Sequence, residues 1–119
     1  KQQRDGVLIL SEMTGAVDRT EMNGSVLDYL LAIVTETRNC EAVHVGVSPR
    51  GSQALHRAAR ACAVLEGRAF CIPDDVKRLA LSVLPHRIIL KRRHTRLHDQ
   101  REESENAIRD VLERIPVPV

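Results

Sequence analysis

Aromatic side chains are nearly missing from this sequence: its 119 residues include no Trp, one Tyr (Tyr29) and one Phe (Phe70). Large rings supply much of the buried area in sheet-rich cores, so their scarcity argues against a β-sandwich. Leu, Val, Ile and Ala must build the core, a composition that suits helices. Also missing is any apolar run near the roughly 20 residues that span a bilayer, and the opening KQQRDG lacks the apolar stretch of a secretory signal. Cysteine is sparse and odd in number, at Cys40, Cys62 and Cys71. Such thiols, one of them set among alanines, fit the small buried hydrophobes of a reducing compartment better than a disulfide framework. The expectation is a cytoplasmic chain with free thiols. A dominant charge is lacking too, since the formal net charge of +2 is too mild to require a polyanionic partner.

What is present is 43% hydrophobic and 29% charged, the balance of one compact domain with a core of its own. The fold class expected is all-α, a small bundle of four or five helices, with short extended pieces allowed at RIIL and PVPV. The expected domain is residues 1–119. Because the chain starts at Lys1 without a methionine and ends on IPVPV, it is expected to be a segment of something longer.

Helix signals follow one another along the chain. Ser11 reads as an N-cap with Met13, Ala16 and Val17 at helical spacing. Ser25 to Asp28 forms an S-x-x-D start, followed by Val26, Leu27, Leu30, Leu31 and Val34 on one face. NCEAVHVGV reads as a connector. Ser48-Pro49 opens a third helix with a favoured cap and a proline whose missing N–H costs nothing there. Ala54, Leu55, Ala58, Ala61, Cys62 and Leu65 make its apolar stripe, and Gly67 closes it. Pro73, Asp74 and Asp75 open a fourth helix carried by Val76, Leu79, Ala80, Val83 and Leu84, and Pro85 stops it. A last helix carries Ala107, Ile108, Val111, Leu112 and Ile115. The expected core is Leu30, Leu55, Ala58, Cys62, Leu79 and Leu84.

One residue breaks the local rules. Arg50 falls in the first turn of the third helix, where a cation opposes the macrodipole by roughly 0.3–1 kcal/mol. At 100° per residue it lies near the direction of Ala54, Arg57 and Ala61, at the edge of the apolar stripe. An anion docked at the helix start would reverse the sign, since N–H groups and a guanidinium in one turn suit a phosphate. The plainer alternative is a surface arginine bonded to a nearby carboxylate, and pattern alone leaves both open.

VLDYLLAIVTETR, GVSPRGSQALHRAARACAVLEGRAFCIPDDVKRLALSVLPHRIIL and the closing IPVPV together resemble the C-terminal helical lid domain of MoxR-type AAA+ ATPases. That family's pattern combines a D-Y helix ending in T-R, G-x-S-P-R-G-x-x-x-L, G-R-x-x-x-x-P-D-D-V and L-x-H-R. The likeness covers the chain from about Val26 onward. It implies that Arg50 is the sensor-2 arginine, a catalytic residue reaching the γ-phosphate of ATP held by an upstream AAA+ core domain. Ser48, Arg50 and Gly51 are the nucleotide-binding residues it implies, with ATP and Mg²⁺ as cofactors of the full-length protein. It further implies a ring homo-oligomer, and chaperone-like remodelling of a client protein. One departure is Ile72, where the family's Thr would cap the helix; losing that cap costs about 1 kcal/mol. No phosphate loop of the form G-x-x-x-x-G-K-[ST] occurs in the chain, so this segment alone is expected to be inactive as an ATPase.

His94 and His98 stand four apart, a metal-ligand spacing, but a zinc site needs three or four ligands and no third stands at a suitable distance in the sequence, so no metal is expected. His86 belongs to L-x-H-R without an assigned task. Arg87, Lys91, Arg92, Arg93, Arg96 and Arg101 form a basic run broken only by Asp99, read first as a solvated loop. The alternative function is a small nucleic-acid-binding module using Arg87 to Arg101, against which stands the absence of interleaved aromatics for base stacking.

Overall fold

The structure is a computed structural model and describes residues 14–118. The Ser11 cap and Met13 expected for the first helix lie outside the described residues. Residues 14–19 are helical (α1), followed by α2 (Gly24–Thr37), β1 (Val43–Val45), α3 (Pro49–Leu65), α4 (Pro73–Val83), a 3-10 turn (Leu84–Arg87), β2 (Ile89–Leu90) and α5 (Leu97–Arg114). Among the described residues this is a five-helix bundle with one two-stranded ribbon, as the composition led one to expect. Helix α3 lies on α4, the 3-10 turn sits against α4 and α5, and α2 packs across α3, α4 and α5.

The core centres on Leu30, Ile33, Leu55, Val76, Leu84 and Ile108, each at most 1% exposed. Leu30, Leu55 and Leu84 were expected there. Ala58 and Cys62 are only partly buried, and the inner row of α3 is Gly51, Leu55, Ala59 and Ala63 instead. Alanines stand at positions 54, 58, 59, 61 and 63 around Leu55, so periodicity defines a broad stripe without fixing its centre. Leu65 is exposed and Leu79 partly buried. Helix α2 is turned in the same way: Leu27 and Leu31 are exposed, while Tyr29, Ile33 and Thr37 face inward. Its cap is Asn23, not Ser25; the Asn23 Oδ1 accepts from the Val26 N–H at 3.0 Å.

The expected connector NCEAVHVGV contains β1, which pairs antiparallel with β2 through Val43↔Leu90 and Val45↔Ile89. Val43 and Leu90 point into the core and Val45 and Ile89 outward. Residues 88–90 of RIIL are thus extended, as allowed for, while Arg87 ends the 3-10 turn. Helix α5 begins ten residues before the first apolar position used to find it, because its opening turns are solvated and polar.

Helix α3 ends as the sequence foretold. Gly67 has φ +75°, its N–H donates to Val64 O at 3.0 Å, and the Arg68 N–H donates to Ala63 O at 2.8 Å. This pair of bonds is the Schellman closure. Gly67→Ala forces a β-carbon into the left-handed region and is expected to cost about 1 kcal/mol. A thermal melt at wild-type midpoint would contradict it.

Candidate functional site

The chain enters α3 through a fixed residue. Val47 is 1% exposed, and its N–H donates to Thr37 Oγ1 at 3.1 Å while that hydroxyl donates to Val34 O at 2.5 Å. This explains the buried threonine at the end of α2. Arg38 Nη2 also reaches Val47 O at 3.4 Å. The next residue, Ser48, is the N-cap: its Oγ accepts from the Gly51 N–H at 3.2 Å, and Pro49 follows at the first helical position.

Gly51 is required by packing. A β-carbon there would stand 2.6 Å from Val47 Cγ1 and 3.2 Å from Arg87 Cδ. The stem of Arg87 therefore lies against the first turn of α3, so the S-P-R-G and L-x-H-R motifs meet in space. Sequence reasoning had left L-x-H-R without a task; its recurrence beside S-P-R-G in one family pattern was the signal.

Arg50 projects from this turn, exposed. Among the described residues no carboxylate lies within ion-pair distance of it, and the first turn of α3 carries no acid. The plain alternative of a carboxylate partner thus finds no support there. The turn's donors are mostly engaged: Gly51 N–H is held by Ser48 Oγ and Ser52 N–H by Ser48 O at 3.0 Å. Proline has no N–H, which leaves the Arg50 N–H and guanidinium as the open donors. An anion such as a phosphate fits this corner. Mg²⁺ does not, because every side-chain charge gathered here, from Arg38, Arg50 and Arg87, is positive.

The G-R and P-D-D motifs also meet. Arg68 grips Asp75 with two bonds of 2.7 Å, and the same carboxylate accepts the Ile72 N–H at 2.9 Å. Burial alone would raise the Asp75 pKa, but the guanidinium and the N–H hold it below the usual carboxylate range. The missing Thr cap at Ile72 is thus offset from inside the helix, and α4 starts at Pro73 as expected. Cys71, beside this pair, is pushed up to about 11 by burial and then by Asp75, which keeps it a protonated, inert thiol at neutral pH. All three cysteines are free.

His94 and His98 do not share a site: the His94 Nε2 contacts the Glu103 carboxylate, and His98 faces Glu102 at 3.7 Å. No group of three potential metal ligands occurs among the described residues. Arg87, Lys91, Arg92, Arg93, Arg96 and Arg101 are all exposed. No described helix is long and apolar enough to cross a membrane.

A family model described as the AAA lid domain matches residues 35–111. An uncharacterized protein of Bacillus subtilis, YeaC, is 39% identical over 103 residues, covering 87% of this chain and 31% of its own length. Protein MoxR of Paracoccus denitrificans is 60% identical over 45 residues, covering 38% of the chain and 13% of its own length. Chaperone MoxR1 of Mycobacterium tuberculosis is 36% identical over 75 residues, covering 56% of the chain and 20% of its own length. The chain therefore spans less than a third of the curated relatives it matches. A crystal structure of a candidate ATPase from Cytophaga hutchinsonii superposes with a TM-score of 0.72 at 22% identity, over 88% of this chain and 34% of that one; the likeness extends to fold.

Proposed function

This chain belongs to the AAA lid domain family, as the lid of a MoxR-type AAA+ ATPase, and from that premise we propose that it presents Arg50 to the γ-phosphate of ATP held by a core domain outside these residues. The observation that carries the reading is Arg50 itself. It is a cation in the first turn of α3, fixed in direction by the buried Val47 and the Gly51–Arg87 contact, with no carboxylate partner among the described residues. Such a guanidinium stabilises the charge on a transferring phosphoryl group when the lid closes. Ser48 orients the turn, and the close approach at Gly51 brings the helix start to its neighbours; both act at the nucleotide through Arg50.

ATP and Mg²⁺ belong to the full protein, with the metal held by acids of the core. The lid converts nucleotide state into movement of a ring-forming, cytoplasmic assembly that remodels a client protein. The chaperone name of the mycobacterial relative supports that reading, and residues 1–119 act in it as one domain.

The 119-residue chain alone offers a triphosphate one open N–H and the exposed Arg50, with the Arg38 and Arg87 cations nearby, and no phosphate loop. It is expected to release no phosphate above a buffer blank and to bind ATP no more tightly than about 1 mM. Micromolar ATP affinity by calorimetry, or measurable turnover, would contradict this.

A further inference from the structure

The nucleotide reading leaves His86 and the basic run unused. Between the 3-10 turn and the first two turns of α5 lies a cavity of about 290 Å³. Pro85, Ile88 and Leu97 give it an apolar wall, and His86, Gln100, Arg101 and Ser104 a polar one. Glu105, at its rim, is directed to Arg109 at 3.8 Å. Ser104 is 4% exposed, yet among the described residues its hydroxyl has no hydrogen-bond partner, not even the carbonyl four residues back that mid-helix serines commonly use. This hydroxyl, on a residue held inside the fold but open to the cavity, is free to donate to a group that enters it. Arg101 and His86 likewise form no ion pair among the described residues. Helix α5 follows the N-cap Arg96 without a side-chain cap, so N–H groups of its first turn, which also carries Asp99, are left uncapped beside Leu97.

These donors around an apolar wall suit a carboxylate on a short aliphatic stem. The cavity falls just under the roughly 300–1,000 Å³ of small-molecule sites and has room for one side chain. The exposed Lys91, Arg92, Arg93 and Arg96, unpaired among the described residues, extend the positive surface beyond it, matching a chain of acids and not a single one. No Phe, Tyr or Trp lines the cavity to stack a base. We infer that the cavity takes a glutamate side chain of an acidic protein segment, whose remaining acids lie along the loop from Lys91 to Arg96.

The test uses a fluorescein-labelled, end-blocked peptide of alternating glutamate and alanine, and its glutamine counterpart, titrated with the 119-residue chain. The glutamate peptide binds, and the glutamine peptide binds about tenfold more weakly. The amide resonances of Gln100 and Ser104 shift during the titration. Ser104→Leu, which fills the cavity from within, weakens binding about tenfold at unchanged helicity. Arg101→Gln, on the exposed rim, does the same and stands in should Ser104→Leu fail to fold. Undiminished binding by Arg101→Gln together with unmoved Gln100 and Ser104 resonances overturns the cavity's role and leaves an unspecific basic loop. Tighter binding of a random-sequence DNA duplex than of the glutamate peptide overturns the choice of partner.

Discussion

Replacing Arg50 with Ala, in a chain that joins this lid to its ATP-binding core, is expected to cut ATP turnover at least about tenfold, and up to ~10³-fold, without lowering the melting temperature. The fold is spared because Arg50 is exposed and the first turn of α3 contains no acid that would lose a partner. Removing a cation from that turn relieves a dipole conflict and opens no cavity. Turnover falls because a guanidinium beside a transferring phosphoryl group stabilises charge that appears only as the bond breaks. Lysine should restore little, since a point charge cannot reproduce the planar fork. Arg57→Ala is the control: it sits farther along α3, exposed, in a loose 3.9 Å pair with Asp18, and should leave turnover near wild type. Wild-type turnover by Arg50→Ala would mean that the lid offers another arginine to the nucleotide.

Arg68→Ala is expected to produce the largest loss of stability, about 3 kcal/mol near neutral pH, lowering the melting midpoint by about 10 °C. The change strands Asp75, 2% exposed, as a buried charge with no cation against it, held only by the Ile72 N–H and the Cys62 thiol. Because the wild-type Asp75 pKa lies below the value of an unfolded aspartate, its contribution is complete above about pH 4 and is lost as pH falls through the folded pKa. Without Arg68, burial dominates and the carboxyl takes up its proton more readily, so the gap between variant and wild type should narrow on acidification. Melts recorded across an acid series check both parts, and a gap that stays constant with pH would show that the pair does not set the stability of the α3–α4 junction.

Both ends of α3 and the start of α4 were legible in the sequence because their caps are chemically particular, whereas the start of α2 at Asn23 and the polar start of α5 were not. Ser48-Pro49, Gly67 and Pro73 with its two aspartates allow few other conformations, and each stands where it was expected. Helix faces were less legible. Leu27 and Leu31 look as suited to the core as Tyr29 and Ile33, and only packing against α4 and α5 chooses between them. The strand β2 falls in the RIIL piece allowed to be extended, but its partner β1 reads as a connector because three residues are too few for an alternating pattern to register. At the candidate site, Arg50 was visible as a violation of local electrostatics. The contact of Arg87 with the α3 start and the grip of Arg68 on Asp75 were not, since periodicity carries no information about which loops meet.

The central claim is one of proximity between Arg50 and the terminal phosphate, and photolabelling measures it most directly. The chain joined to its ATP-binding core would be irradiated with an ATP analogue bearing an aryl azide on its γ-phosphate, then digested with trypsin. Label on the peptides Asn39–Arg50 or Gly51–Arg57, suppressed by excess ATP, is the result this account predicts. Saturable label confined to the core, with none between residues 39 and 57, would contradict it.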